Sequence, residues 1–235
     1  MSAPCSTQPW NEDLIPPDQR TVAWHKARSG NFTGSRVKAL PFDGKKKKAY
    51  FDLIDQIVVE RLTGDYVDSE LDSYALKWGR EVEPFARDAY QFETGNIVTQ
   101  SGFVKHQTYP FVGASPDGLV EKNGGTEFKC PKNPAIHLSR FPNGMEDEFM
   151  PQVQCCIWVF QSDWWDWVSF DPRMPQHLKF YRQRVYRDDA YIAHMEKMIL
   201  VAEGEVRTRL EAFKPENIEK ILSERAGKQG EQHVH

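Results

Sequence analysis

Residues 113–131 read GASPDGLVEKNGGTEFKCP; Asp117 follows a Ser-Pro turn, and ten residues further on Glu127 and Lys129 flank Phe128. Side chains two apart in a β-strand share a face, so Glu127 and Lys129 project together while Phe128 turns to the other side of the sheet. With Asp117 opening the preceding strand and Asn123-Gly124-Gly125 as the hairpin turn, the three charged groups converge at one sheet edge. Two carboxylates and a backbone carbonyl make a hard oxygen cage suited to Mg2+ or Mn2+. A lysine beside them can hold or help deprotonate an attacking water and offset charge on a phosphate. The constellation points to metal-dependent phosphodiester cleavage. On its own, D-x9-E-x-K is a loose spacing that fits a surface hairpin with an incidental ion pair equally well, so its surroundings decide.

Composition narrows those surroundings. A chain of 235 residues with 40% hydrophobic and 12% aromatic content can bury a substantial core and suits one α/β domain better than two small ones. A formal charge of −4 excludes a broadly basic surface, so contact with a polyanion has to come from local positive charge, of which Lys45 to Lys48 is the strong run. That run follows Pro41-Phe42-Asp43-Gly44 and reads first as a solvated turn, able to touch phosphates in a salt-dependent way. There is no secretory pattern at the start and no apolar run near the length of a membrane span, which predicts a soluble, intracellular (cytoplasmic) protein with no membrane partner. Cys5, Cys130, Cys155 and Cys156 lack framework or zinc spacing and read as reduced thiols.

Outward from the hairpin, the apolar period switches between steps of three or four and steps of two. Residues 1–20, with Pro4, Pro9, Pro16 and Pro17, are expected to form an irregular arm, residues 21–214 a single domain, and residues 215–235 a charged, frayed tail. After a short amphipathic piece from Thr21, a helix start is expected near Thr33 to Ser35. Helices are predicted over 48–63, on Phe51, Ile54, Ile57, Val58 and Leu62, and over 69–94, on Leu71, Ala75, Trp78, Val82, Phe85, Ala89 and Phe92, with Pro84 as a kink point. Two more are predicted over 148–160 and from Asp188, the last on Ile192, Met195, Ile199, Ala202, Val206 and Leu210. Short strands are predicted over 96–104, 111–114, 119–121, 126–130, 164–170 and 178–186. This order describes an α/β fold, a central mixed β-sheet flanked by helices with the acidic hairpin in its middle.

Three other segments can be tied to that hairpin. WGREVEPFARDAY (78–90) carries Glu81, Glu83 and Asp88, any of which could complete a metal shell, although glutamates on a helix are ordinarily solvated surface. MPQVQCCIWVF (150–160) opens with Gln152 and Gln154, neutral amides able to orient water without repelling an anion. AWHKARSGNFTGS (23–35) gathers Trp24, His25, Arg28 and Ser35 near a helix N-terminus, where phosphate binds readily. Together with ALKWGREVEPFARDAYQFETG, SPDGLV, EFKCP and FDPRM, in this order over about residues 22–187, these segments resemble the lambda-exonuclease-like, YqaJ-type viral recombinase family of the PD-(D/E)XK nuclease superfamily.

The resemblance implies a restriction-endonuclease-like PD-(D/E)XK core and a set of roles. Asp117 and Glu127 would bind metal with the Phe128 carbonyl, Glu83 would add a carboxylate on the second-metal side, Lys129 would be the catalytic lysine, and Gln152 would orient the nucleophile. Arg28, Ser35 and Ser115 match the family's 5′-phosphate pocket, and Trp24 the aromatic beside the bound DNA end. The implied activity is a 5′→3′ exonuclease that uses two Mg2+ ions, with Mn2+ as substitute, on double-stranded DNA ends, releasing 5′-mononucleotides and leaving a 3′ tail. A homotrimeric ring and a single-strand annealing protein are the implied assembly and partner. One position departs: an arginine six residues after the catalytic lysine is here Ala135, and Lys132, His137 and Arg140 are the charges at hand to replace it. A structure-specific or restriction-type endonuclease on the same core is the alternative among enzymes. A non-catalytic DNA-end-binding recombination scaffold is the alternative outside them, but a scaffold has no physical need for Lys129 beside the acids.

Overall fold

The computed structural model describes residues 19–67 and 74–231. The expected irregular arm lies outside these residues as far as residue 18. Thr21 then caps α1 (Val22–Arg28), its hydroxyl accepting the Trp24 N–H. β1 (Phe32–Thr33) and a 3-10 turn (Val37–Ala39) stand where a helix start was expected. α2 (Lys48–Thr63) stops at Gly64, whose φ of 73° is the left-handed cap that other residues resist. It buries Tyr50, Leu53, Ile54, Ile57 and Val58, while Phe51 and Leu62 of the expected stripe face outward. α3 (Tyr74–Thr94) contains Pro84 and buries Val82, Ala86 and Tyr90, leaving Phe85 and Phe92 exposed. The predicted start of this helix, with Leu71, lies outside the described residues.

Among the described residues the strands form two sheets. β4 (Val112–Ala114) pairs in parallel with β1 and antiparallel with β3 (Val104–Lys105). The larger mixed sheet runs in the order β2 (Val98–Thr99), β5 (Gly118–Val120), β6 (Gly124–Lys129), β7 (Trp164–Phe170), β8 (Phe180–Tyr186). β6 and β7 are parallel and the other pairs antiparallel. The one strand expected over 96–104 is therefore two, split between sheets.

The hairpin before β6 differs from expectation in an informative way. Gly124 and Gly125 are strand residues, paired with Val120 and Leu119, and the turn is Glu121 to Asn123, with Glu121 at φ 55°. A Cβ on Gly124 would lie 2.2 Å from the Trp164 ring, and one on Gly125 2.3 Å from Trp165. The glycines are there for two tryptophans, not for a turn.

β7 is buried along its whole length and alternates between two cores. Trp165 and Trp167 pack with α2, α5 (Met150–Phe160) and α6 (Asp189–Ala212), whereas Trp164, Val168 and Phe170 pack with α3. The predicted inner face of α6 is buried from Ile192 to Val206 and half-buried at Leu210. α4 (Pro134–Asn143) occupies a stretch with no predicted helix; Asn133 caps it by accepting the Ala135 N–H, and Pro134 suits its first turn. Of the tail expected over 215–235, the described part forms α7 (Pro215–Glu231), with strong helix formers and Glu216 in its first turn, and residues 232–235 lie outside the described residues. No helix among the described residues is long and apolar enough to cross a membrane.

Candidate active site

β6 and the turn before β5 carry the acids. Gly118 pairs with Thr126, which sets Asp117 level with Glu127, and the Phe128 N–H donates to Asp117 Oδ2 at 2.7 Å. Glu127 and Lys129 share a face, where Lys129 Nζ donates to Glu127 Oε1 at 2.7 Å; Phe128 enters the opposite core beside Tyr90. From the first turn of α5, Gln152 Nε2 donates to Glu127 Oε1 at 2.6 Å, and its Oε1 accepts from Lys129 Nζ at 3.4 Å. One amide thus ties both ends of the ion pair together. Glu83, from α3, is held between Arg20 Nη2 at 2.6 Å and Arg87 Nη2 at 3.2 Å.

The electrostatics of the cluster are unbalanced. Burial, then the charges of Glu127 and Glu83, push the Asp117 carboxyl well above its usual range. Burial alone would lower Lys129, but Glu127 and Asp117 outweigh it and raise its pKa, so the amine stays a cation. Glu127 Oε2 is buried with no hydrogen-bond partner among the described residues. Two carboxylates sharing one lysine, with a buried oxygen left over, fit a hard divalent cation. Among the described residues no group of three or more His, Cys, Asp or Glu could hold a metal by itself. The fit is therefore to two acids, the Phe128 carbonyl and oxygens brought by water or substrate. Nearby, burial pushes the Cys130 and Cys155 thiols up to about 12, which keeps them protonated.

The residues matched to a phosphate pocket meet beside this cluster. Trp24 Nε1 donates to Ser115 Oγ at 2.9 Å, the Arg28 guanidinium lies 4.2 Å over the Trp24 ring, and Arg28 Nη2 donates to Ser35 Oγ at 3.2 Å. Their segment is anchored to α2, where buried Glu60 accepts from the Gly30 N–H at 2.7 Å and from both Arg36 Nη atoms at 2.8 and 2.5 Å. A single cleft of about 940 Å3 is lined by Trp24, Arg28, Ser35, Glu83, Ser115, Asp117, Glu127, Phe128, Lys129 and Gln152.

Other candidates fall elsewhere. Glu81 and Asp88 do not line the cleft, and Gln154 points away from it, donating to the Tyr186 carbonyl. Of the charges near Ala135, Arg140 reaches the cleft wall, held by Glu146, Ser169 and the Trp167 ring. His137 is buried between Ser169 and the Leu178 carbonyl, and Lys132 lies over the Tyr74 ring. Three of the four lysines of the run are engaged with acids: Lys46 with Glu205, Lys47 with Asp43, Lys48 with Asp52. Two cations that hold Glu83, Arg20 on the cleft wall and Arg87 behind it on α3, escape a reading by motif. Arg87 was findable as the residue one helical turn beyond Glu83, whereas Arg20 sits in a stretch with no periodicity at all.

A mixed sheet with helices on both faces, offering two acids and a lysine to a cleft, is a nuclease-type α/β fold. Residues 23–163 match the YqaJ-like viral recombinase domain, and the chain belongs to that family. It is similar to LHK-Exo in complex with dAMP, at 34% identity over 85% of this chain and 99% of that one, with a TM-score of 0.78. A second structure of LHK-Exo, an alkaline exonuclease from Laribacter hongkongensis, gives 33% identity over 89% and 100% of the two chains, with a TM-score of 0.75. A phage-related exonuclease from Haemophilus somnus 129PT shares the fold at 12% identity, over 78% and 96% of the chains, with a TM-score of 0.58. No curated protein sequence matches.

Proposed function

We propose that this lambda-exonuclease-like enzyme degrades one strand of linear double-stranded DNA in the 5′→3′ direction, releasing 5′-mononucleotides and leaving a 3′ tail for strand annealing. The observation that carries this reading is the cleft itself, in which Glu127 Oε2 lies buried and unpartnered beside Lys129 and next to the Trp24, Arg28, Ser35 and Ser115 group. Asp117, Glu127 and the Phe128 carbonyl would hold one metal and Glu83 would add a carboxylate on the side of a second, two Mg2+ ions on the family pattern, with Mn2+ as substitute. A bound cation supplies Lewis acidity toward water and the leaving oxygen and neutralises phosphate charge.

The chain's own groups account for the rest. Lys129, kept charged by Glu127 and Asp117, suits donation to a phosphate oxygen or to the attacking water better than proton removal. Gln152 keeps Glu127 and Lys129 in one geometry. Arg28, with Ser35 and Ser115, offers charge-assisted hydrogen bonds to a terminal 5′-phosphate, and the Trp24 ring a face for the end base. Arg140 takes the part of the missing arginine at Ala135, being the one of the three nearby charges on the cleft wall. A homotrimeric ring around the duplex and a single-strand annealing protein complete the picture. Release of acid-soluble nucleotide from linear duplex is expected only with Mg2+ or Mn2+ supplied; undiminished release in EDTA contradicts the reading.

A further inference from the structure

Glu83 is tied to two arginines that differ in how firmly they are held. Arg87 sits one helical turn away on α3 and is 17% exposed, a fixture of the helix. Arg20 approaches from outside any regular element and is 42% exposed, although its Nη2 to Glu83 distance of 2.6 Å is the shorter contact. Its backbone has φ of 72°, a left-handed conformation that a residue with a Cβ adopts only where its neighbours hold it. The holding is done by Gln19, whose Nε2 donates to the Pro116 carbonyl at 2.6 Å and to the Ser101 carbonyl at 2.9 Å. Pro116 adjoins Asp117. The chain is therefore clipped to the turn that carries one acid, and the next side chain is aimed at another acid across the cleft mouth.

We propose that Arg20 is an exchangeable counter-ion of the active site, pairing with Glu83 until a divalent cation engages that carboxylate and then passing to a backbone phosphate of the bound DNA. The inference rests on the proposed metal-dependent reading. A guanidinium presents a planar fork to a carboxylate and to a phosphate alike, so the same side chain serves both partners without new chemistry. Arg20 lines the same cleft as Lys129 and Arg28, and with Arg87 remaining on Glu83, the exposed arginine is the one free to move. Arg20 then competes with the cation for Glu83 and contributes to holding DNA, two effects of opposite sign on two measurable affinities.

The test uses Arg20→Gln and Arg20→Lys in the full chain. Mn2+ binding to the protein without DNA is followed by calorimetry, and steady-state kinetics are measured on linear duplex across a salt series. Arg20→Gln is expected to bind Mn2+ roughly two- to fivefold more tightly, the range set by loss of a partly exposed ion pair. It should also raise KM for duplex, leave kcat within about twofold, and lower the slope of log KM against log salt by about one charge. Arg20→Lys, which keeps the charge, should restore the salt slope. A purely structural Arg20 would change stability and leave that slope alone. Wild-type Mn2+ binding with Arg20→Gln indistinguishable in affinity and slope overturns the exchange, whereas no Mn2+ binding by the wild type overturns the metal site on which it depends.

Discussion

Lys129 touches Glu127 and Gln152 and lies 5.0 Å over the Phe149 ring, so it is fixed from three sides at the floor of the cleft. On the proposed function it would stabilise negative charge at the reacting phosphate more than gather substrate. Lys129→Ala should therefore lower single-turnover cleavage by about a hundredfold or more while duplex affinity, measured by fluorescence anisotropy, stays within a few-fold. Near-normal turnover would remove the residue from this role. At this scale the two-residue period was enough to put Glu127 and Lys129 on one face and Phe128 in the core. It could not show that Gln152 clamps the pair, that two arginines hold Glu83, or that Arg140 and not His137 reaches the cleft. Apart from Arg87, one turn from Glu83 on the same helix, those contacts join residues more than twenty positions apart and depend on tertiary packing.

β6 shows the same limit among elements. Asn123-Gly124-Gly125 carries every mark of a hairpin turn, yet its glycines lie in the strand because Trp164 and Trp165, on a strand some forty residues on, occupy the space a Cβ would need. Gly125→Ala should lower Tm by roughly 5 °C, from the cost of overpacking against a fully buried ring. Gly204→Ala, on α6 with open space around it, should leave Tm unchanged or raise it. Equal losses from the two substitutions in a thermal melt would show that the tryptophan contact is not the cause. Helix α2 was legible almost to the residue because its stripe and its Gly64 stop agree, while its outward Phe51 and Leu62 show that an apolar residue at helical spacing need not be core. The signal for α4 was present in Asn133-Pro134, an N-cap followed by a first-turn proline, but it competed with no strong apolar period.

For the whole molecule, the difficulty is charge. A chain of net charge −4 must stay on a polyanion, and three lysines of its run are already engaged with Asp43, Asp52 and Glu205. Encirclement by a homotrimer would substitute topology for part of that affinity, so sedimentation at working concentrations should give three times the chain mass of 27.2 kDa, and a monomer would count against the ring. An encircling enzyme with a phosphate pocket beside its acids needs an end to load on. The most direct test of that account follows a single digestion with Mg2+ of three duplexes: linear with 5′-phosphates, linear with 5′-hydroxyls, and covalently closed circles, the linear ones labelled at either end. The account predicts early release of label from 5′-phosphorylated ends, slower attack on 5′-hydroxyl ends, and intact circles. Cleavage of closed circles, or equal loss of label from both ends, would contradict it.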